Sequence, residues 1–242
     1  MSWYTWLEQG RAVRASEQVL DAIGVALRLA ADGREYLRAL GRPEGQAPTP
    51  PPVQVRHAIL RLIEAQEPAP AYVLGPRFDL LAWNAATAGV YGDFGALPPE
   101  RRHVLWLLFG EPGVRRLIVN WEPNAHYVLA MFRAHTARYV REPWYPALVG
   151  QLCRASGEFR SWWACHEVEH RPIAYKELAH PVVGRLVLEQ SALAVDDCSG
   201  QLLILYTPQA VSDAEKLAAL AARRGLGDSH CRPVATTARD CG

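Results

Sequence analysis

Ala71-Tyr-Val-Leu-Gly-Pro-Arg-Phe-Asp-Leu-Leu-Ala-Trp-Asn-Ala-Ala-Thr-Ala-Gly-Val-Tyr-Gly-Asp-Phe94 is the stretch on which the reading of the fold turns. Two short apolar runs, Tyr72–Leu74 and Phe78–Trp83, flank Gly75-Pro76-Arg77. There glycine supplies an unusual φ and proline pre-sets a turn, so the pair predicts a β-hairpin. Asn84 is a good helix N-cap, Ala85, Ala86, Ala88 and Val90 follow it, and Gly92 stops the run.

Downstream the pattern turns helical. Pro98-Pro99-Glu100 makes a helix start, Val104–Phe109 supplies a bulky apolar face, and Glu111-Pro112 opens a short helix through Ile118. Trp121–Val140 carries Tyr127, Val128, Met131, Phe132 and Tyr139 at helical spacing, and Tyr145–Ala155 and Ser156–Cys165 predict two more helices. From Ile173 the period changes. Ile173–His180, Gly184–Leu193 and Gln201–Thr207 are β-rich runs separated by turn-like segments, which with the hairpin predicts five antiparallel strands. Pro208 ends the last run, Ser212 caps a helix to Ala222, and residues 223–242 are a polar tail expected to be disordered.

Upstream, Val53–Ala65 is amphipathic, with Val55, Ile59, Leu62 and Ile63 on one side and Arg56, Arg61 and Glu64 on the other. Residues 42–52 hold Pro43, Pro48, Pro50, Pro51 and Pro52 with Gly45, a semi-rigid linker without core-forming residues. Residues 1–41 predict three helices: one from Ser2 to Gln9, one starting at Ser16, and one marked by Tyr36, Leu37 and Leu40.

Composition narrows the function classes. A chain of 242 residues with 50% apolar content builds a real core, and 26 basic against 25 acidic residues advertise no nucleic acid, membrane or acidic substrate globally. Any contact with DNA is therefore local. Lys176 and Lys216 are the two lysines in an otherwise all-Arg basic set. Five cysteines without a Cys-x-x-Cys pair suggest neither a disulfide framework nor a zinc ribbon, and a reducing cytoplasm is the expected home. No apolar run has the length to cross a bilayer.

The pieces Ala71-Tyr72-Val73-Leu74-Gly75, Leu81-Ala82-Trp83-Asn84, Trp163-Ala164-Cys165-His166-Glu167-Val168 and His180-Pro181-Val182-Val183-Gly184 occur in the order found in one family. Over Val53 to about Ala221 the chain resembles the ligand-binding domain of the MmyB-like transcription regulators, which join a helix-turn-helix to a PAS-like sensor. The resemblance implies an α+β protein. A partial helix-turn-helix module at 1–41 is followed by the linker at 42–52 and, at 53–222, a PAS-like five-stranded antiparallel sheet with a helical insertion. Thr5–Arg11 resembles the end of a recognition helix and the turn after it. That likeness places Ser2, Trp3 and Thr5 toward the DNA groove and Arg11 on the phosphate backbone. The two helices that precede the recognition helix in such domains have no counterpart in this sequence, so the same residues also read as a helical appendage.

The family resemblance further implies a small apolar, fatty-acid-like ligand, double-stranded DNA as partner, and a homodimer, because two half-sites need two recognition helices. Trp83, Trp121, Phe132 and Trp163 are the expected aromatic walls, with His166, Arg133 and Tyr206 as alternative partners for a carboxylate. His166-Glu167-Val168-Glu169-His170 also fits the zinc-hydrolase pattern, with Glu189 as a distant third ligand. Pro172 interrupts the helix that pattern needs, and Glu189 falls in a strand, so neither metal nor catalysis is expected. With no Gly-rich phosphate loop or Gly-x-Ser-x-Gly elbow, no cofactor is expected either. A sensor that binds ligand without DNA is the remaining alternative.

Overall fold

The computed structural model describes residues 16–29, 33, 34, 37, 54–165, 175–195 and 200–224. Ser2, Trp3, Thr5, Arg11, His166, Glu167, His170 and the linker at 42–52 lie outside these residues, as does 225–242 of the expected tail. The architecture is α+β: helices and one open, five-stranded antiparallel sheet.

Helix α1, Glu17–Ala26, begins where expected, with the Ser16 hydroxyl accepting from the Val19 amide. Helix α2, His57–Glu64, leads into strands β1, Ala71–Leu74, and β2, Leu80–Trp83, and then into α3, Ala85–Tyr91. Two 3-10 turns follow, at Phe94–Ala96 and Pro99–Arg101. The helical insertion comprises α4, Val104–Gly110; α5, Pro112–Leu117; α6, Trp121–Thr136; α7, Trp144–Ala155; and α8, Gly157–Ala164. Strands β3, Tyr175–His180, β4, Gly184–Ala194, and β5, Leu202–Pro208, follow, and then helix α9, Val211–Arg224.

The sheet order is β2-β1-β5-β4-β3, so the last strand in sequence lies between the first hairpin and the later one. Register fixes which residues share a face. Tyr72 pairs with Ile204, Tyr206 with Gln190, and Lys176 with Leu188, which puts the alternating set Tyr72, Leu74, Leu202, Ile204, Tyr206, Leu186, Leu188, Lys176 and Leu178 on one side. That side packs against the insertion, α3 and α9 in the main core. On the other side Ala71, Val73, Leu81, Ala82 and Leu203 form a second cluster under Ile59, Leu60 and Ile63 of α2. Both hairpin strands are consequently buried throughout, which is why they read as continuous apolar runs rather than as alternating ones. The free edge of β3 is covered at the α5–α6 junction. Ile118 bridges to Leu178, Val119 donates its amide to the Glu177 carbonyl, and Asn120 accepts from the Glu177 amide at 3.0 Å.

The hairpin differs from expectation in one instructive way. Phe78 belongs to the turn, not to the second strand, and it is Phe78 rather than Gly75 that takes the left-handed backbone, with φ 67°. Its ring is fully buried, edge-on to Phe132 at 5.5 Å, and this burial offsets the cost of the backbone conformation. Gly75 is needed for space instead: a Cβ there would stand 2.9 Å from the Asp79 carboxylate. The helix predicted from Pro98 also divides, because Arg102 and His103 are drawn into pairing with Leu80 and Asp79. The long helix over Trp121–Val140 ends at Thr136 and tightens into a 3-10 turn at Ala137–Tyr139.

Candidate functional site

Two groups of side chains stand out in and beside the main core. The first is aromatic and belongs to the insertion. Phe132 of α6 is fully buried, stacked on Tyr145 of α7 at 5.7 Å and tilted against Trp163 of α8 at 6.2 Å. Trp163 stacks in turn on Phe159 at 5.5 Å, and Phe159 meets Phe109 of α4 edge-on at 5.1 Å. Trp121 extends the same network through Phe109 and Trp162, its indole N–H donating to the Leu108 carbonyl at 2.9 Å. Each ring contributes large apolar area and prefers this tilted or edge-to-face geometry.

Arg133 stands at the margin of this network, and its fixed position has a clear structural source. One terminal nitrogen donates to the Trp162 and Trp163 carbonyls at 3.0 and 2.7 Å, and the guanidinium lies 4.5 Å from the Trp163 ring centroid. It thereby satisfies carbonyls left open at the end of α8 and favours the negative end of that helix.

The second group is polar and spans the sheet as a row. Lys176 of β3 donates to the Tyr206 hydroxyl of β5 at 2.7 Å, and Tyr206 donates to Oε1 of Gln190 on β4 at 2.7 Å. The Tyr72 hydroxyl of β1 lies 3.4 Å from that of Tyr206. Tyr91, at the end of α3, packs its ring 6.2 Å from that of Tyr206, with its hydroxyl buried beside the other phenols. Burial governs the electrostatics here. It lowers the Lys176 ammonium to about 7, raises the Tyr72 phenol to about 12, and pushes Tyr91 and Tyr206 higher still.

The expected site residues divide between these groups. Phe132, Arg133, Trp163 and Trp121 come together in the insertion, and Tyr206 sits at the centre of the polar row. Trp83 reaches the row only indirectly, edge-on to Phe94, which stacks on Tyr91. Lys176, Tyr72, Tyr91 and Gln190 went unpredicted. The available signal was Lys176 itself, one of two lysines, placed two residues before Leu178 in an alternating strand and so on its buried face. Glu189 points to the opposite, solvent side of β4. Among the described residues no three His, Cys, Asp or Glu side chains form a group able to hold a metal ion, and no helix is long and apolar enough to cross a membrane.

The family model of the MmyB-like transcription regulator ligand binding domain matches residues 55–221. The chain belongs to that family. The MmyB-like match spans α2 through most of α9, so the sheet, the insertion and the polar row all fall inside the ligand-binding domain. No curated protein matches the chain.

Proposed function

We propose that this chain senses a small apolar, fatty-acid-like molecule through its MmyB-like domain and passes the occupancy of that domain to DNA binding by residues 1–41, acting as a homodimer in the cytoplasm. The observation that supports the reading is the aromatic network of the insertion, set within a domain whose family binds ligands in order to regulate transcription. Phe132, Trp163 and Trp121 present the apolar surface that an aliphatic chain needs. Such a ligand changes regulation only by favouring one of two arrangements of the protein, so its affinity for the two must differ. On this reading residues 42–52 form the linker between the two functions.

Chain length gives the test. Each buried methylene is worth about 0.8 kcal/mol, so straight-chain fatty acids from roughly eight to sixteen carbons should raise the melting temperature stepwise until the site is full. A flat series, with no lipid retained through purification in native mass spectrometry, retires the lipid-sensing reading. For the regulatory half, duplex retention should fall steeply with salt and shift when ligand is added. Retention that ignores ligand at every salt concentration removes the coupling.

A further inference from the structure

We propose that Lys176 is a covalent capture site: its side-chain amine condenses reversibly with the carbonyl carbon of an apolar aldehyde to form an imine. The inference goes beyond the fatty-acid reading, since it gives the domain a second class of ligand with its own chemistry. It rests on the sensing role above only in needing an apolar molecule to enter the domain.

The place of Lys176 is set by the sheet. It stands two residues before Leu178 in β3 and opposite Leu188 of β4, both fully buried, so the alternation of the strand turns it inward, where it is 5% exposed. Nζ donates to the Tyr206 hydroxyl at 2.7 Å, and the ring centroids of Tyr206 and Tyr91 lie 5.1 and 5.6 Å away. Among the described residues no carboxylate pairs with it. An ammonium in such surroundings forfeits its hydration and gains no counter-charge, so the folded chain favours the neutral amine. That form carries the lone pair a nucleophile needs, and desolvation among apolar side chains is what prepares a lysine for imine chemistry. Lys216, the other lysine, is placed differently: it lies on α9 with the Asp213 carboxylate at 3.8 Å and donates to the Arg185 carbonyl.

The step needs no further reagent. The amine lone pair forms the C–N bond, the carbonyl π pair moves to oxygen, and both amine protons leave with that oxygen as water, with no change of oxidation state. The Tyr206 hydroxyl is placed to carry a proton between nitrogen and oxygen, because it accepts from Nζ and donates to Oε1 of Gln190 at 2.7 Å. Tyr72, Tyr91 and Tyr206 face the amine from β1, α3 and β5, and burial keeps all three phenols protonated near neutral pH. None of them supplies a negative charge that would hold Lys176 as an ammonium. Gln190 is half-buried, and beyond it on the same face Ala192 and Ala194 are exposed, so the row opens along β4, where aldehyde enters and water leaves.

The test is reductive trapping of the full chain with dodecanal and sodium cyanoborohydride at about pH 7, read by peptide mapping in a mass spectrometer. Lys176 should gain one dodecyl group, at a rate roughly tenfold or more above that of Lys216 or the terminal amine, because it alone is desolvated and without a carboxylate partner among the described residues. In urea the preference should vanish, since it depends on burial. Lys176→Met should remove the fast phase and leave slow labelling at Lys216, and Tyr206→Phe should slow trapping at Lys176 without abolishing it. Labelling spread evenly over the amines of the folded chain, or none at Lys176, would overturn the proposal, and mapping of the unsubstituted chain decides this should a variant fail to fold. The fatty-acid series keeps the two readings apart. Stepwise stabilisation by the acids with Lys176 unlabelled leaves the sensing of fatty acids standing and removes the capture. Labelled Lys176 with a flat acid series retains the capture and removes the fatty acid.

Discussion

Asn84 shows how much one side chain can organise. Its Oδ1 accepts from the Ala71 and Thr87 amides, both at 3.0 Å, and its Nδ2 donates to the Ile63 and Ala69 carbonyls at 3.0 and 2.8 Å. It caps α3 while tying the ends of α2 and β1 to that cap. Asn84→Ala should destabilise the protein by about 3–5 kcal/mol, more than the usual loss of a cap, because buried backbone groups are left without partners. Asn84→Asp restores the cap but not the two donors, so it should rescue only part in urea denaturation. His103 supplies a pH-dependent counterpart. Its Nδ1 accepts from the Leu105 amide at the start of α4, and Nε2–H donates to the Arg77 carbonyl at 2.7 Å. Burial lowers its pKa from 6.5 to about 4. The stability from a neutral His103 is thus fully present above pH 6.5 and is lost as the pH falls toward 4, since the unfolded chain takes up the proton first. Asp79 beside it, its carboxyl raised by burial, contributes with the opposite sign. The slope of stability between those pH values should therefore be smaller in His103→Asn than in the wild type, by at most one proton, about 1.4 kcal/mol per pH unit. Identical slopes would refute the assignment.

At the scale of elements, the hairpin β1–β2 depends on being sandwiched. Its inner side chains join the main core and its outer ones meet α2, where Ile63 is fully buried over Ala71, Val73, Leu81 and Ala82. Small residues on the strand side let the helix approach closely, so truncating Ile63 leaves a gap that backbone cannot easily fill. Ile63→Ala is expected to cost about 2–5 kcal/mol, whereas Leu62→Ala, at a position 43% exposed on the same helix, should change stability by less than about 1 kcal/mol. Similar losses at the two sites, measured by chemical denaturation, would show that α2 does not pack as described. The same sandwiching bears on sequence legibility. Strands buried on both sides show no alternation, so the hairpin had to be read from its turn and its cap, while β3 showed the alternation from which an inward Lys176 follows.

For the whole molecule the sheet order sets the terms of cooperativity. Strand β5 pairs with β1 on one side and β4 on the other, so within the sheet the opening hairpin and the β3–β4 hairpin are joined through it. Tyr206, at its centre, contacts side chains from three further strands. Removing residues 202–242 should abolish the cooperative thermal transition rather than lower its midpoint. A truncated chain that still melts in one sharp step would contradict this. Non-local pairing of this kind also makes the sheet the late-forming part of the fold, since closure of the long loop through the insertion precedes its reward.

By itself the sequence determined the local elements and the family. Gly75-Pro76-Arg77, the Asn84 and Ser16 caps, the helical period of the insertion and the strand period after Ile173 are short-range signals, set by backbone sterics and capping hydrogen bonds within a few residues. The four quoted pieces in order were enough to place the chain among the MmyB-like regulators. Only the tertiary structure decided that Phe78 leaves its strand for a left-handed turn, that Arg133 is spent on the end of α8, and that Tyr72, Tyr91, Lys176, Gln190 and Tyr206 form one cluster. These residues are up to 134 positions apart in the chain. What brings them together is the register of β1, β5, β4 and β3, and register is a property of long-range pairing and burial that no local window of sequence contains.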